Sequence, residues 1–390
     1  MKKPRSHVDD LRGVSKLAVE ATRGVMGLVE AMQVAIASGP AVLGAPLEKP
    51  VKLATGLVYG TMKGITEAVG AGIDAALAQL GPLLGSSAPG PERELVLAAL
   101  NGVLGDYLEA QGNPLAIPMT LRRDGAPHTL VGATGKLLIL VHGSCCTDLM
   151  WTSKGHDHGA RLASELGYTP LYVHYNSGLH ISTNGKKLSA LLEEMVRSWP
   201  VPLDEIVLLG HSMGGLVARS ALHVADEAGH AWRGGVRALV TLGSPHHGAP
   251  LERGGNWIDL LLGVSRYSAP FARLARLRSA GITDLRFGNV LDAHWHGKDR
   301  FDFGHDDRCP APLPHGIACY AVAGTLSIAD GPDLASDGMV PVASAFGDHA
   351  TDGLCLSFAP ERRYLALGTG HLQLLGSQDV YGKLVEWLRA

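Results

Sequence analysis

The chain has 390 residues, of which 46% are hydrophobic and 18% are charged, and its formal net charge is −3. A chain of this length can bury a large core and is long for one domain, so we expect one large domain and an appendage. The nearly balanced charge gives no basic surface of the size that nucleic-acid binding requires, so that class of function is excluded.

The cysteines and the first residues indicate the compartment. The five cysteines, two of them adjacent at Cys145 and Cys146, do not form the evenly spaced framework of a disulfide-rich secreted fold. The adjacent pair is more typical of small buried hydrophobes than of a vicinal disulfide or a reactive thiol. Asp9 and Asp10 stand where a signal peptide would need an apolar core. We therefore expect a cytoplasmic protein.

Residues 1–90 form the predicted appendage. Apolar residues recur at helical spacing from Val14 to Ile36 and again from Ala54 to Leu80, with a proline-containing segment between them. These patterns predict a helical hairpin. Its apolar faces would pack on the large domain, pack on a second subunit in a homo-oligomer, or contact a membrane surface or hydrophobic particle. Because no proline-free, uncharged run approaches about 20 residues, we do not expect a bilayer span.

The strongest local signal is the stretch EIVLLGHSMGGLVARS, residues 205–220. Its apolar residues 206–209 run without alternation, as in a parallel strand covered on both faces, and GHSMG then leads into a helix-compatible run. Gly210 and Gly214 flank Ser212, where a larger side chain would collide with the neighbouring strand or helix. A serine at such a turn stands clear of the sheet beside a helix N-terminus, so Ser212 is the candidate nucleophile.

With GHSMGG placed between a buried strand and a helix, the sequence resembles the α/β-hydrolase superfamily over roughly residues 115–390. Within it, TLGSPHHG, residues 241–248, resembles the lipase and esterase branch, including bacterial triacylglycerol lipase-like and inositol-deacylase-like hydrolases. The resemblance implies an α/β fold with a mostly parallel central sheet and helices on both faces. It also implies a catalytic domain of residues 91–390, with a helical cap inserted after strand six at about 251–314.

The oxyanion hole follows from the same resemblance. The buried strand that begins at Lys136 ends in His142-Gly143-Ser144-Cys145. In the lipase branch an HG-x element donates a backbone N–H to the oxyanion, which implies the N–H of Ser144 as one donor and the N–H of Met213 as the other. Cys145 is the neighbouring alternative to Ser144.

The acid and the base are expected near the C-terminus. Asp330, Asp333 and Asp337 compete within the loop SIADGPDLASDGMVPVASA, where S-D-G-M-V-P resembles the acid loop of the family and favours Asp337. The last strand, RRYLALGTG, leads to His371. The order Ser212, Asp337, His371 is the one that the family uses.

The remaining polar residues near strand ends are weaker candidates. Tentative substrate-binding residues are His142, Gly143, His211 and His246. His246 and His247 are more typical of loop packing or pocket lining than of a metal site. One cluster in the cap resembles a solvated face more than a calcium or zinc site, and it comprises His294, His296, Asp302, His305, Asp306 and Asp307. We expect no metal and no organic cofactor.

These features predict a serine hydrolase that cleaves a carboxylic ester of a small molecule or lipid through an acyl-enzyme. A thioesterase, an amidase or an intracellular polyester depolymerase would use the same triad, because fold and triad do not name the leaving group. A non-catalytic protein that contacts a membrane or storage granule through its N-terminal hairpin is the alternative from a different class.

Overall fold

A computed structural model describes residues 91–123, 125–127, 130–249, 278–300, 305–329 and 335–389. The predicted hairpin of residues 1–90 and residues 251–277 of the predicted helical cap lie outside these ranges. The helices are α1 Pro91–Ala110, α2 His158–Leu166, α3 Ile181–Arg197, α4 Met213–Ala228, α5 Ala280–Asp284, α6 Val342–Ala345 and α7 Gln378–Arg389. The strands of the main sheet are β1 Thr120–Arg123, β2 Ala126–Pro127, β3 Lys136–Val141, β4 Thr169–His174, β5 Glu205–His211, β6 Val236–Leu242, β7 Ala318–Gly324 and β8 Arg363–Ala366.

The main sheet has eight strands in the order β8-β7-β6-β5-β3-β4-β1-β2. Strands β3 to β8 are parallel, whereas β1 pairs antiparallel with β4 and with β2. Strand β5, which directly precedes Ser212, lies at the centre between β3 and β6. This is the predicted mostly parallel α/β sheet, and it brings the carboxyl ends of β3, β5, β6 and β7 to one edge.

Successive residues of the central strands point to opposite faces of the sheet and belong to two separate hydrophobic cores. Ile139 of β3 belongs to a cluster with Leu100 of α1 and Leu188 of α3, on one face of the sheet. Leu138 belongs to a second cluster with Leu162 of α2, on the other face. Because both faces are covered, the strands are continuously apolar, which explains why they were recognisable in the sequence.

The first two strands form a short hairpin at the edge of the sheet. Strand β2 is Ala126–Pro127, and it pairs Arg123 with Ala126. The reversal needs only two residues, with Gly125 at φ 70°, the left-handed conformation that two-residue hairpin turns demand. The proline falls on the sheet edge, where no ladder partner needs its N–H.

Helix α1 packs so closely against the sheet domain that its backbone approaches the backbone of the domain. The side chain of Asn101 donates to the carbonyl of Leu115 at 2.8 Å and accepts from the N–H of Ile117 at 2.9 Å. A Cβ at Gly102 would lie 2.8 Å from Cα of Cys145, which leaves no room for a side chain. Helix α1 is therefore an integral layer over the end of β3.

The insertion after β6 is described in part. Its last segment contains α5, where Asp284 accepts a hydrogen bond from the N–H of Ile181 at 2.8 Å, so this segment is anchored to the start of α3. Among the helices within the described ranges, none is long and apolar enough to span a bilayer.

Candidate active site

Ser212 occupies a sharp turn between β5 and α4. Its φ of 55° and ψ of −126° are unusual for a residue with a side chain, a strain that recurs at functional positions. A Cβ at Gly214 would lie 2.0 Å from the carbonyl oxygen of Val141, and one at Gly210 would lie 2.4 Å from Cα of Gly215. The flanking glycines are thus required by the close approach of β3 and α4, as the sequence predicted.

Asp337 and His371 form a buried pair. The ring Nδ1 of His371 lies 2.7 Å from Oδ2 of Asp337, and both side chains are almost fully buried. The other carboxylate oxygen, Oδ1, accepts from the N–H groups of Met339 at 2.9 Å and Val340 at 2.7 Å. The carboxylate is therefore oriented by its own loop. Asp330 and Asp333, the rival acids, lie outside the described residues.

The environment of Asp337 favours the ionised carboxylate. Burial alone would raise its pKa, but the charge and hydrogen bond of His371 and the two backbone donors outweigh burial and hold the pKa below its usual value. A carboxylate that stays ionised can fix the tautomer of the neighbouring imidazole, with the proton on Nδ1 and the lone pair on Nε2.

The ends of β5 and β6 bring Ser212 and this pair together. The N–H of Ser212 donates to the carbonyl of Leu242 at 2.8 Å. At Gly243, the next residue, a Cβ would lie 3.1 Å from both Asp337 Oδ2 and His371 Nδ1. His211, which precedes Ser212, lies with its ring centroid 4.8 Å from that of His371. Ser212 Oγ is buried and has no hydrogen-bond partner among the described residues.

The loop after β3 lies against Ser212. A Cβ at Gly143 would lie 3.0 Å from Cβ of Ser212, so the backbone of this loop runs directly beside the serine. Cys145 has a φ of 57°, and its N–H donates to Oγ of Ser177 at 3.0 Å. Because that amide is already engaged, the geometry favours Ser144 over Cys145 as the oxyanion donor. Met213 is the first residue of α4, where a helix leaves N–H groups without intrahelical acceptors.

The adjacent cysteines are chemically quiet. Cys145 and Cys146 are both buried and free. Burial raises the pKa of each thiol to about 12, so neither forms a thiolate near neutral pH. They act as the small buried hydrophobes that the sequence suggested.

Three candidate substrate-binding histidines make contacts to the protein instead. His142 is buried, stacks on Tyr175 with ring centroids 4.3 Å apart, and donates from Nδ1 to the carbonyl of Gly143 at 2.8 Å. His246 is buried between Arg219, 3.0 Å away, and Thr241, 3.3 Å away. Burial lowers the pKa of His142 to about 4 and that of His246 well below its usual value.

His211 has the same character. Its Nε2 lies 3.0 Å from the carbonyl oxygen of His371, and burial, followed by the charge of His371, lowers its pKa to about 3. Of the tentative substrate-binding set, Gly143 has its backbone directly beside the Ser212 side chain. The histidines are neutral groups that support the loops around it.

The polar cluster of the cap is largely the solvated face that the sequence predicts, because His296, His305 and Asp307 are exposed, and His294 is the exception. His294 is buried, accepts from the N–H of Val290 at 3.2 Å and donates to the carbonyl of Cys309 at 3.0 Å. Asp306 pairs with Arg308 at 2.8 Å. Within the described parts of the chain, no three histidine, cysteine or carboxylate side chains converge as metal ligands would, and Asp302 lies outside those parts.

Sequence reasoning missed two residues that shape this region. Ser177 holds the loop after β3 through Cys145, and His158 bonds the turn that carries His371 through the carbonyl of Leu374, at 2.9 Å. Each contact joins segments far apart in the chain, and no local pattern marks such a pairing.

Comparison with known proteins finds similarity to one family model and to several solved structures. The family model of the PGAP1-like alpha/beta domain matches residues 182–301, which is less than half of the chain. A search of curated proteins found no match. Among solved structures, the mature lipase BlEst2 of Bacillus licheniformis is 17% identical, with 65% of this chain and 91% of that chain covered and a TM-score of 0.43.

Two further solved structures have similarly low sequence identities and TM-scores. The type II thioesterase BorB of the borrelidin biosynthetic cluster is 19% identical, with 70% of this chain and 97% of that chain covered and a TM-score of 0.39. Lipase B of Aspergillus fumigatus is 12% identical, with 70% and 56% covered and a TM-score of 0.42. By its own sheet order and its serine turn after the central strand, the chain has the α/β-hydrolase fold, and its middle region resembles the PGAP1-like alpha/beta domain.

Proposed function

We propose that the protein is a serine hydrolase of the lipase and esterase type, which cleaves a carboxylic ester of a small molecule or lipid. The observation that carries this proposal is the buried pair of Asp337 and His371, 2.7 Å apart, beside the strained turn of Ser212. Such a constellation activates a hydroxyl that is otherwise a poor nucleophile.

In the proposed mechanism, His371 Nε2 takes the proton of Ser212 Oγ while that oxygen attacks the ester carbonyl carbon. Asp337 stabilises the imidazolium, and the N–H groups of Ser144 and Met213 donate to the tetrahedral oxyanion. The imidazolium then gives its proton to the departing alkoxide, which leaves an acyl-serine. Water, deprotonated by the same histidine, releases the carboxylic acid and restores the hydroxyl.

The leaving group distinguishes this proposal from its nearest alternative. A thioesterase would use the same proton transfers with a thiolate as leaving group. Matched oxygen and thio esters of one acyl chain, assayed over a series of acyl lengths, separate the two activities by their kcat/KM ratios. A preference for the oxygen ester at every length supports the esterase proposal.

A fluorophosphonate probe tests the nucleophile directly. The full-length protein should be labelled at Ser212, and Ser212→Ala should lose both labelling and ester turnover while it keeps its fold. Ser144→Ala is the matched control, because it retains the backbone N–H and should keep turnover within a fewfold. Folded wild-type protein that resists labelling would favour the non-catalytic alternative.

We also propose that the enzyme works in the cytoplasm. All five cysteines are free thiols, three of them buried, which supports a reducing compartment.

A further inference from the structure

The catalytic-site candidate His371 begins a short 3₁₀ turn, His371–Leu375, that follows β8. A short turn has few internal hydrogen bonds, so its position depends on what holds its carbonyl groups. Two buried histidines from other parts of the chain do this. Nε2 of His211 lies 3.0 Å from the carbonyl oxygen of His371, and Nε2 of His158 lies 2.9 Å from that of Leu374.

The contact of His158 is the end of a directed chain of hydrogen bonds. A carbonyl only accepts, so His158 carries its proton on Nε2, and its Nδ1 accepts. Nε2 of His156, 2.8 Å away, must then be the donor to that Nδ1. The amide of Gln378 in turn donates to Nδ1 of His156 at 3.0 Å. Each ring in the chain therefore has one protonated nitrogen.

Both supporting imidazoles are neutral. Burial lowers the pKa of His158 to about 4 and that of His211 to about 3, so near neutral pH each ring keeps one donor and one acceptor. His158 is also stacked on Tyr381 with an interplanar angle of 5°, which fixes the plane of its ring. Rings held in this way can restrict the position of the turn.

We propose that His158 and His211 are positioning residues that hold the His371–Leu375 turn at both ends and thereby align the His371 ring with Asp337 and Ser212. His211 ties the start of the turn to the nucleophile strand, since it directly precedes Ser212. His158 ties the end of the turn to the start of α2, and Leu162 of α2 belongs to the same core cluster as Leu374. The effect of this alignment on catalysis rests on the proposed function, whereas the alignment itself does not.

The kinetic test compares Gln and Asn at each position in the full-length protein. Gln places an amide donor close to Nε2 of the original ring, whereas Asn is one bond shorter and leaves the carbonyl without its donor. His158→Asn and His211→Asn should lower kcat by about 10²-fold, the usual effect of an ångström-scale displacement, with KM changed less than a fewfold. The kcat of each Gln variant should be at least about tenfold higher than that of the Asn variant at the same position.

His230 supplies the control. Its Nδ1 lies 2.8 Å from Oγ of Ser189, and it follows α4, whose 16 residues separate it from Ser212 by about 24 Å. His230→Asn and His230→Gln should match the wild type in kcat, even if their thermal stability falls. If His158→Asn and His211→Asn also match the wild type in kcat, the two histidines have a merely structural role, and the proposal is overturned.

A second readout does not depend on catalysis. The proton between His371 Nδ1 and Asp337 should give a far-downfield proton NMR resonance, which its loss in Asp337→Asn would assign. This resonance should shift or disappear in His158→Asn and His211→Asn and persist in His230→Asn. Wild-type protein without turnover or labelling refutes the proposed function, whereas an unchanged resonance in both Asn variants refutes the positioning role.

Discussion

Asp337 and His371 are joined by two hydrogen bonds, one between their side chains and one between their backbones. The ring Nδ1 of His371 lies 2.7 Å from the carboxylate, and its backbone N–H donates to the carbonyl oxygen of Asp337 at 3.0 Å. The second hydrogen bond joins the two backbones directly. A shift of either loop should therefore disturb the position of both residues relative to Ser212.

The Asp337 carboxylate should be essential for turnover. Asp337→Asn keeps the shape of the side chain but removes the charge that stabilises the imidazolium and fixes its tautomer. We expect kcat to fall by about 10⁴-fold, as in other serine triads, whereas Asp333→Asn should have a much smaller effect. The reverse order of effects in ester hydrolysis would identify Asp333 as the acid.

The close approach of α1 to the loop after β3 should make Gly102 intolerant of any side chain. Alanine normally stabilises a helix by up to about 1 kcal/mol relative to glycine. At Gly102, however, the added Cβ would lie 2.3 Å from Sγ and 2.8 Å from Cα of Cys145. We expect Gly102→Ala to lower the free energy of unfolding by about 1–3 kcal/mol and to lower kcat/KM, because Ser144 is displaced with its neighbour.

Gly382 in α7 is the matched control for this substitution. A Cβ there would meet no atom within 4 Å, so Gly382→Ala should leave kcat/KM unchanged and raise stability slightly. Urea unfolding and ester hydrolysis measure both quantities. If Gly102→Ala behaves like Gly382→Ala, the loop does not depend on its contact with α1.

The buried neutral histidines should make the fold sensitive to acid. Burial lowers the pKa of His142 and His158 to about 4 and that of His211 to about 3, whereas in the unfolded chain each has its ordinary value near 6.5. The unfolded state therefore binds protons first as pH falls. The stability that these residues contribute is complete above about pH 6.5 and is lost toward pH 4, by up to about 1.4 kcal/mol per pH unit for each histidine.

Urea unfolding between pH 8 and pH 4.5 measures this loss. The free energy of unfolding should be nearly constant above pH 7 and should decrease steeply below about pH 6.5. A stability that stays level from pH 7 to pH 5 would contradict the neutral, buried state of these rings.

The N-terminal appendage should be dispensable for the chemistry. Deletion of residues 1–90 removes none of the groups assigned to the reaction, so turnover of a soluble short-chain ester should stay within a fewfold, while binding to liposomes or self-association should decrease. Deletion of residues 1–112 also removes α1 and the hydrogen bonds of Asn101, and should prevent folding. A folded protein that lacks only residues 1–90, still binds liposomes and keeps its oligomeric state, yet loses activity, would place the hairpin in the active site.

The sequence predicted those parts of the fold in which local pattern and tertiary role coincide. Strands β3, β5 and β6 are apolar without interruption because both faces of the sheet are covered, and the serine turn needs glycines at fixed positions. The contact of His158 with Leu374 could not be predicted in this way, since it joins residues 216 positions apart. The burial of His294 could not be predicted for a related reason. Its neighbours in the sequence are polar, but its ring is buried and hydrogen-bonded to two backbone groups.

The edge of the main sheet at β2 has a consequence for how copies of this chain can associate. The edge strand is two residues long, is exposed, and ends in Pro127, which has no N–H to offer a neighbouring strand. Such an edge cannot template the addition of another strand. A homodimer of this protein would therefore be joined through helical faces or loops at this side of the molecule, and not through a continuous sheet across the subunit boundary.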